Sequence, residues 1–118
     1  MSNRRTGRMP PEHVEMVKAR SKGMCERCLV RPATEIHHRR YLSRGGRHNV
    51  ANLLHLCNPN GGGNAGDGCH ADAHQKLGAE TGMAISRFNP DPESVIPFTD
   101  MLGRSWVIDD AGGKDEQT

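Results

Sequence analysis

Residues 25–40 read CERCLVRPATEIHHRR, and together with NLLHLC at 52–57 and CHADAH at 69–74 they decide the fold. Two sets of candidate ligands interleave in these stretches. The first is Cys25, Cys28, Cys57 and Cys69. The second is histidine-based: the doublet His37-His38, then Asn52, then His70 and His74. Four thiolates close a tetrahedron around structural zinc. Imidazoles left over beside such a tetrad point to a second, open metal site able to do chemistry.

Local patterns place these residues on elements. Pro10-Pro11 opens a helix, because proline suits the first turn. Val14, Met16, Val17 and Ala19 give it an apolar stripe, and Gly23 stops it. Cys25–Cys28 is a tight knuckle. Ala33–His37 is a short strand built on Thr34 and Ile36. Residues 44–47, Arg-Gly-Gly-Arg, form a loop. Leu53–Leu56 is a second strand, antiparallel to the first. Asn58–Gly68 is a glycine-rich excursion, and His70–Leu77 is a short helix ended by Gly78. This β-β-α order puts the four cysteines at one end of the motif. Met83–Phe88 and Trp106–Ile108 read as short strands, interrupted by Pro90, Pro92 and Pro97. The expectation is a small α+β fold. A flexible basic arm at 1–9 precedes a main domain at 10–82. A strand extension of that domain spans 83–110, and a disordered tail spans 111–118.

A chain of 118 residues suffices for one small domain. Only 34% of it is hydrophobic, and its aromatics are Tyr41, Phe88, Phe98 and Trp106. So thin a core needs a staple, either zinc or two disulfides. Zinc is preferred. No apolar run follows the basic start, so no secretion signal is expected, and no stretch is long enough to span a membrane. The expected location is cytoplasmic. Cys-x-x-Cys is too tight for a structural disulfide and reads as metal or redox. A thioredoxin-like reading fails because no βαβ pattern surrounds Cys25 and Cys28.

Charge is segregated along the chain. Residues 1–50 carry twelve Lys/Arg against four Asp/Glu, a net +8, and residues 51–118 carry four against ten, a net −6. The basic half implies a polyanionic partner. Arg39, Arg40, Arg44 and Arg47 crowd the histidine doublet and are the expected phosphate contacts. Backbone contacts of that kind bind with strong salt dependence and little sequence preference.

His37 and His38 are adjacent near a strand end, so they face opposite ways. One can bind metal while the other acts as a base. His70 and His74 lie four apart on one helical face, a spacing that suits two ligands of one ion. His37, His70 and His74 together leave room for water and a phosphate oxygen. Any one of these histidines alone reads as polar surface beside a knuckle. The set at these spacings reads as a site.

This combination resembles the HNH nucleases of the ββα-metal (His-Me finger) fold, and in particular the zinc-knuckle HNH proteins encoded by bacteriophages. The resemblance covers residues 25–74. It implies metal-dependent nicking or cleavage of DNA phosphodiester bonds, in the cytoplasm of a bacterial host if the chain is phage-encoded. By position, His38 is the general base, and Asn52 braces the loop and orients His38. His70 is the metal-binding histidine of the helix. His37 stands where the family has Asp or His as a ligand, and His74 where some members have a further histidine. The catalytic ion expected is Mg²⁺ or Mn²⁺, with Ni²⁺ also accepted by a histidine-rich site. Phage packaging proteins enter as partners by resemblance only.

Two departures stand out. Many relatives have two residues between the third and fourth cysteines, whereas eleven, Asn58 to Gly68, intervene here. Glycines make such a looped-out insertion feasible. Asn49 also competes with Asn52, which is favoured because it directly precedes the apolar strand. The rival reading is a catalytically silent, zinc-finger-like DNA-binding module. It explains the cysteines and the basic half but not the doublet with His70 and His74. A third reading is an adaptor whose acidic tail docks a partner protein.

Overall fold

A computed structural model describes residues 8–59 and 68–117. The basic arm and most of the glycine-rich excursion lie outside the described residues. Helix α1, Pro11–Ser21, begins at the expected proline and ends on Lys22 in the left-handed region. Its stripe is narrower than expected. Val17 is buried, Val14 and Met16 are half-buried, and Ala19 is exposed. Val17 packs with Val50 and Leu53 in a small second core, and Arg20 adds to that hold. Its guanidinium forms a bidentate pair with Glu26 at 2.7 and 2.8 Å and donates to the Leu53 carbonyl at 2.6 Å. Both side chains are 1% exposed, so a buried ion pair supplements those few apolar contacts.

Strand β1, Glu35–His38, pairs antiparallel with β2, Leu53–Leu56, in the register Glu35 to Leu56 and His38 to Leu53. All four residues of β2 are buried. The hairpin is followed by two short helices, α2 at Gly68–Ala73, packed on β2, and α3 at Lys76–Thr81. The single helix expected at 70–77 is thus broken in two, and Gly78 does not end it. Gly78 lies inside α3, pressed against the end of α2, where a Cβ would clash with the Ala73 carbonyl. Glycine serves here as the residue that permits close backbone approach.

Residues 83–88 do not form the expected strand. Met83 and Ile85 are buried in alternation, but the segment pairs with no strand among the described residues; the Ile85 N–H bonds the Arg39 carbonyl and the Ala84 N–H bonds the Gly78 carbonyl. A three-stranded sheet follows, ordered β3 (Phe98–Thr99), β4 (Ser105–Ile108), β5 (Lys114–Gln117). The tail expected to be disordered therefore contributes an edge strand. Asp109 closes the β4–β5 turn by accepting the N–H groups of Ala111 and Gly113.

The main core joins the knuckle to this sheet. Cys25, Cys28, Cys57 and Cys69 pack with Leu54, Leu56, Met83, Phe98 and Ile108. The knuckle's middle residues extend the join. Glu26 accepts from the His55 N–H and from Lys114, while Arg27 donates to the Thr99 carbonyl at 2.7 Å. Among the described residues no helix is long and apolar enough to cross a membrane.

Candidate active site and metal centres

The cysteines converge from three elements. Cys25 and Cys28 come from the knuckle, Cys57 follows β2, and Cys69 lies in the first turn of α2. All four sulfurs lie within 4.8 Å of one another, and none is in a disulfide. Cys28 and Cys57 sulfurs are 3.9 Å apart. Two thiolates on one tetrahedral zinc, each at about 2.3 Å, stand roughly 3.8 Å apart, so the spacing fits an ion. Gly68 makes the return of Cys69 possible. Its φ is +83°, and a Cβ there would strike Pro59 and the Cys57 carbonyl. The long excursion thus does not prevent Cys57 and Cys69 from meeting.

The thiols' proton affinities point the same way. The hydrogen bond from Cys69 draws Cys25 far below the ordinary thiol range. That contact, with burial, pushes Cys69 up, and burial raises Cys57. Without a cation the cluster favours one thiolate and resists more. A divalent ion is what would let all four ionise.

The second cluster is His37, His70 and His74, whose ligand nitrogens also lie within 4.8 Å of one another. Each has a fixed orientation. His37 Nε2 lies 2.6 Å from the Met83 carbonyl, so that nitrogen carries the proton and Nδ1 is left for a ligand role. His70 Nδ1 lies 3.0 Å from the Glu35 carboxylate, leaving Nε2 toward His74 Nε2 at 3.2 Å. Two nitrogens bound at about 2.1 Å to one ion stand roughly 3.0–3.4 Å apart. Carbonyl and carboxylate partners on the far nitrogen are the usual outer support of histidine ligands. Tyr41 stacks on His74 with centroids 5.2 Å apart.

His38 turns away from this trio, as adjacent strand residues must. Its Nε2 is 3.0 Å from His48 Nδ1. His37 and His38 nevertheless both line one open groove of about 390 Å³, shared with Tyr41, Ser43, His70 and His74. Burial, then the neighbouring His48, lower the His38 pKa to about 4. Burial lowers His37 to about 3 despite the opposing Met83 hydrogen bond. Both rings are neutral at pH 7, the form that binds metal or accepts a proton.

Asn52 is fully buried and spans the loop after β1. Its Oδ1 accepts from the Arg40 N–H at 2.7 Å, and its Nδ2 donates to the carbonyls of Arg40 and Arg47. Asn49 does something else: its amide binds the carboxylates of Glu93 and Asp110. Asn52 is therefore the asparagine set inside the loop that follows His38.

The arginines divide. Arg44 and Arg47 are exposed. Arg39 is fully buried, and its guanidinium donates to the carbonyls of Gly82, Ala51, Glu93 and Ile96. Arg40 pairs with Glu93 at 2.7 Å and donates to the carbonyls of Ser86, Asn89 and Asp91. The expected phosphate contacts at Arg39 and Arg40 are corrected accordingly, because their donors are spent on backbone. Segment 82–97 forms no strand, and these two arginines satisfy carbonyls along it. Glu35, His48 and Tyr41 escaped the sequence reading. Only Glu35 had a signal, since it stands two residues before His37 on the same strand.

No curated protein and no solved structure matches the chain. A family model does match, over less than a third of the chain, and stops short of His70 and His74. Residues 25–59 match the model described as HNH endonuclease, a family whose members act on DNA, and recognition of the HNH pattern in this chain rests on that segment.

Proposed function

We propose that this protein is a metal-dependent endonuclease that hydrolyses DNA phosphodiester bonds, built on a ββα-metal motif formed by β1, β2 and α2. The observation that carries this reading is the groove itself. Three oriented imidazoles face one another across it, and a fourth, neutral imidazole lines the same wall. A silent zinc module has no use for that second cluster.

The four thiolates hold structural zinc. The trio His37, His70 and His74 holds the catalytic ion, Mg²⁺ or Mn²⁺, with Ni²⁺ accepted. When bound, that ion stabilises the charge that develops on the scissile phosphate and its leaving oxygen. The chain's own residues do the rest. His38, neutral at pH 7, takes the proton of the attacking water. Asn52 fixes the loop that follows His38, and so acts as a positioning residue. Arg44 and Arg47 hold the phosphate backbone. The test is plasmid nicking with Mg²⁺, Mn²⁺, Ni²⁺ or EDTA, beside His38→Ala. That variant is expected to lose about 10²–10⁴-fold in rate while keeping its fold and its DNA binding. Nicking at the wild-type rate removes His38 from the mechanism, and no nicking with any ion returns the protein to the silent-module reading.

A further inference from the structure

Phe88 is 79% exposed, the most exposed large apolar side chain among the described residues. It is not on a loose loop. The Asn89 N–H bonds the Ser86 carbonyl, the Phe88 N–H bonds Ser86 Oγ, and the buried Arg40 guanidinium clamps the carbonyls of Ser86, Asn89 and Asp91. A fixed turn thus holds an aromatic ring in solvent. The Arg87 guanidinium sits 4.8 Å from the ring centroid. Arg44, Ser86, Arg87 and Phe88 together line a hollow of about 350 Å³ with no carboxylate in it. Arg44 also lies over Tyr41, 5.3 Å from its centroid, and Tyr41 stacks on His74. The hollow and the histidine groove are thus neighbours, joined through the Arg44–Tyr41 contact.

An apolar π-face ringed by guanidinium and hydroxyl groups matches a nucleotide better than an apolar protein segment. Bases stack on aromatic rings whatever their identity, and arginines hold the phosphates between them. A paired base inside a duplex has no face to offer. We propose that Phe88 is a stacking platform for an unpaired DNA base, with Arg44 and Arg87 holding the adjacent phosphates, so that the protein engages a single or locally opened strand beside the cleavage groove. The proposal rests on the nuclease reading for the strand's direction into the groove, but not for binding itself.

The test is fluorescence anisotropy with the full chain and no added divalent ion. The probes are a single-stranded oligonucleotide, the fully paired duplex of that sequence, and the duplex with one bulged base. Phe88→Ala is expected to weaken binding of the single strand and the bulged duplex about tenfold, leaving the paired duplex within about twofold. Phe88→Trp is expected to bind like the wild type. Arg44→Ala and Arg87→Ala should each lower the salt dependence on the single strand by about 0.7. Unchanged single-strand binding by Phe88→Ala overturns the platform, and so does an equal loss on all three probes. If that result comes with intact plasmid nicking, the nuclease reading survives it. Phe88-dependent single-strand binding in a protein that nicks nothing supports the platform and removes the nuclease instead.

Discussion

The two ends of the β1–β2 hairpin are held by different chemistry. At the Glu35–Leu56 end, four cysteines converge inside the main core, shielded from water and joined to the C-terminal sheet. At the His38–Leu53 end the mount is Asn52, Arg39 and Arg40, which bond to backbone and, through Arg40, to the Glu93 carboxylate, and the histidine trio, with His70 reaching back to Glu35, opens onto a groove along the strand. The first end gathers four thiols that could hold one ion. The second is assembled by hydrogen bonds around three imidazoles that could hold another. A structural metal and a catalytic metal differ in this way: the first replaces core, the second leaves positions open.

The largest effect should come from breaking the first end. Structural zinc contributes about 10–16 kcal/mol in small zinc domains, as much as the whole stability of a typical domain at roughly 5–15 kcal/mol. Cys25→Ser or Cys57→Ser should therefore abolish cooperative melting and bring tightly held zinc below one per chain. A variant that melts normally would show that the thiols are an ordinary core cluster.

Breaking the mount of the second end should cost less but still register as stability. Arg39→Ala removes donors from four carbonyls, three of them in segment 82–97, which carries the Met83 carbonyl that orients His37. Unsatisfied buried groups cost about 1–3 kcal/mol each when water cannot reach them. A total loss of about 4 kcal/mol or more in denaturant unfolding is expected, with zinc content unchanged. Arg44→Ala, on the exposed surface, should leave the unfolding midpoint where it is. If the two variants melt alike, the division of the arginines is wrong.

How much of this was legible beforehand follows the same division. The cysteine end was readable because ligand spacing is a property of the sequence. The pairing of β1 with β2 was readable for a similar reason, since Leu53–Leu56 has a strong apolar pattern. Arg39 and Arg40 were misread because charge alone cannot say whether a guanidinium meets phosphate or carbonyl. That depends on how many carbonyls a segment outside any strand leaves unpaired. Gly78 was misread as a stop because a glycine that ends a helix and one that lets two helices touch look the same in sequence. The strand at Lys114–Gln117 was missed because its residues are polar. It is an edge strand set by the Asp109 turn and by Lys114 lying over Phe98 and Trp106.

Removing the ion from the open end should leave the fold alone. Brief chelation is expected to stop nicking without changing the melting curve, because imidazole and water release an ion that thiolates retain. Added Mn²⁺ or Mg²⁺ should restore nicking. His70→Ala should lose that rescue, with weaker defects in His37→Ala and His74→Ala. One chelation step that removes fold and activity together would mean that the two ends share a single metal.

The smallest expected effect falls on Glu35, which touches no ion. Its carboxylate accepts from His70 Nδ1 and so fixes which nitrogen of His70 faces His74. Partners of this kind change metal affinity by about 10–100-fold when removed. Glu35→Gln keeps the size and an acceptor oxygen but loses the charge, so its defect should lie at the weak end, about tenfold in the Mn²⁺ concentration needed for half-maximal nicking. Glu35→Ala should lie at the strong end. Neither should change zinc content or melting by more than about 1 kcal/mol, because the side chain is partly exposed and its partner keeps access to water. The graded series separates orientation from ligation: a ligand loss cannot be recovered by more metal as simply as an orientation loss can. If saturating Mn²⁺ fails to bring Glu35→Gln back to the wild-type rate, Glu35 acts on the reaction itself, and the histidine end is not the simple ion holder described for it.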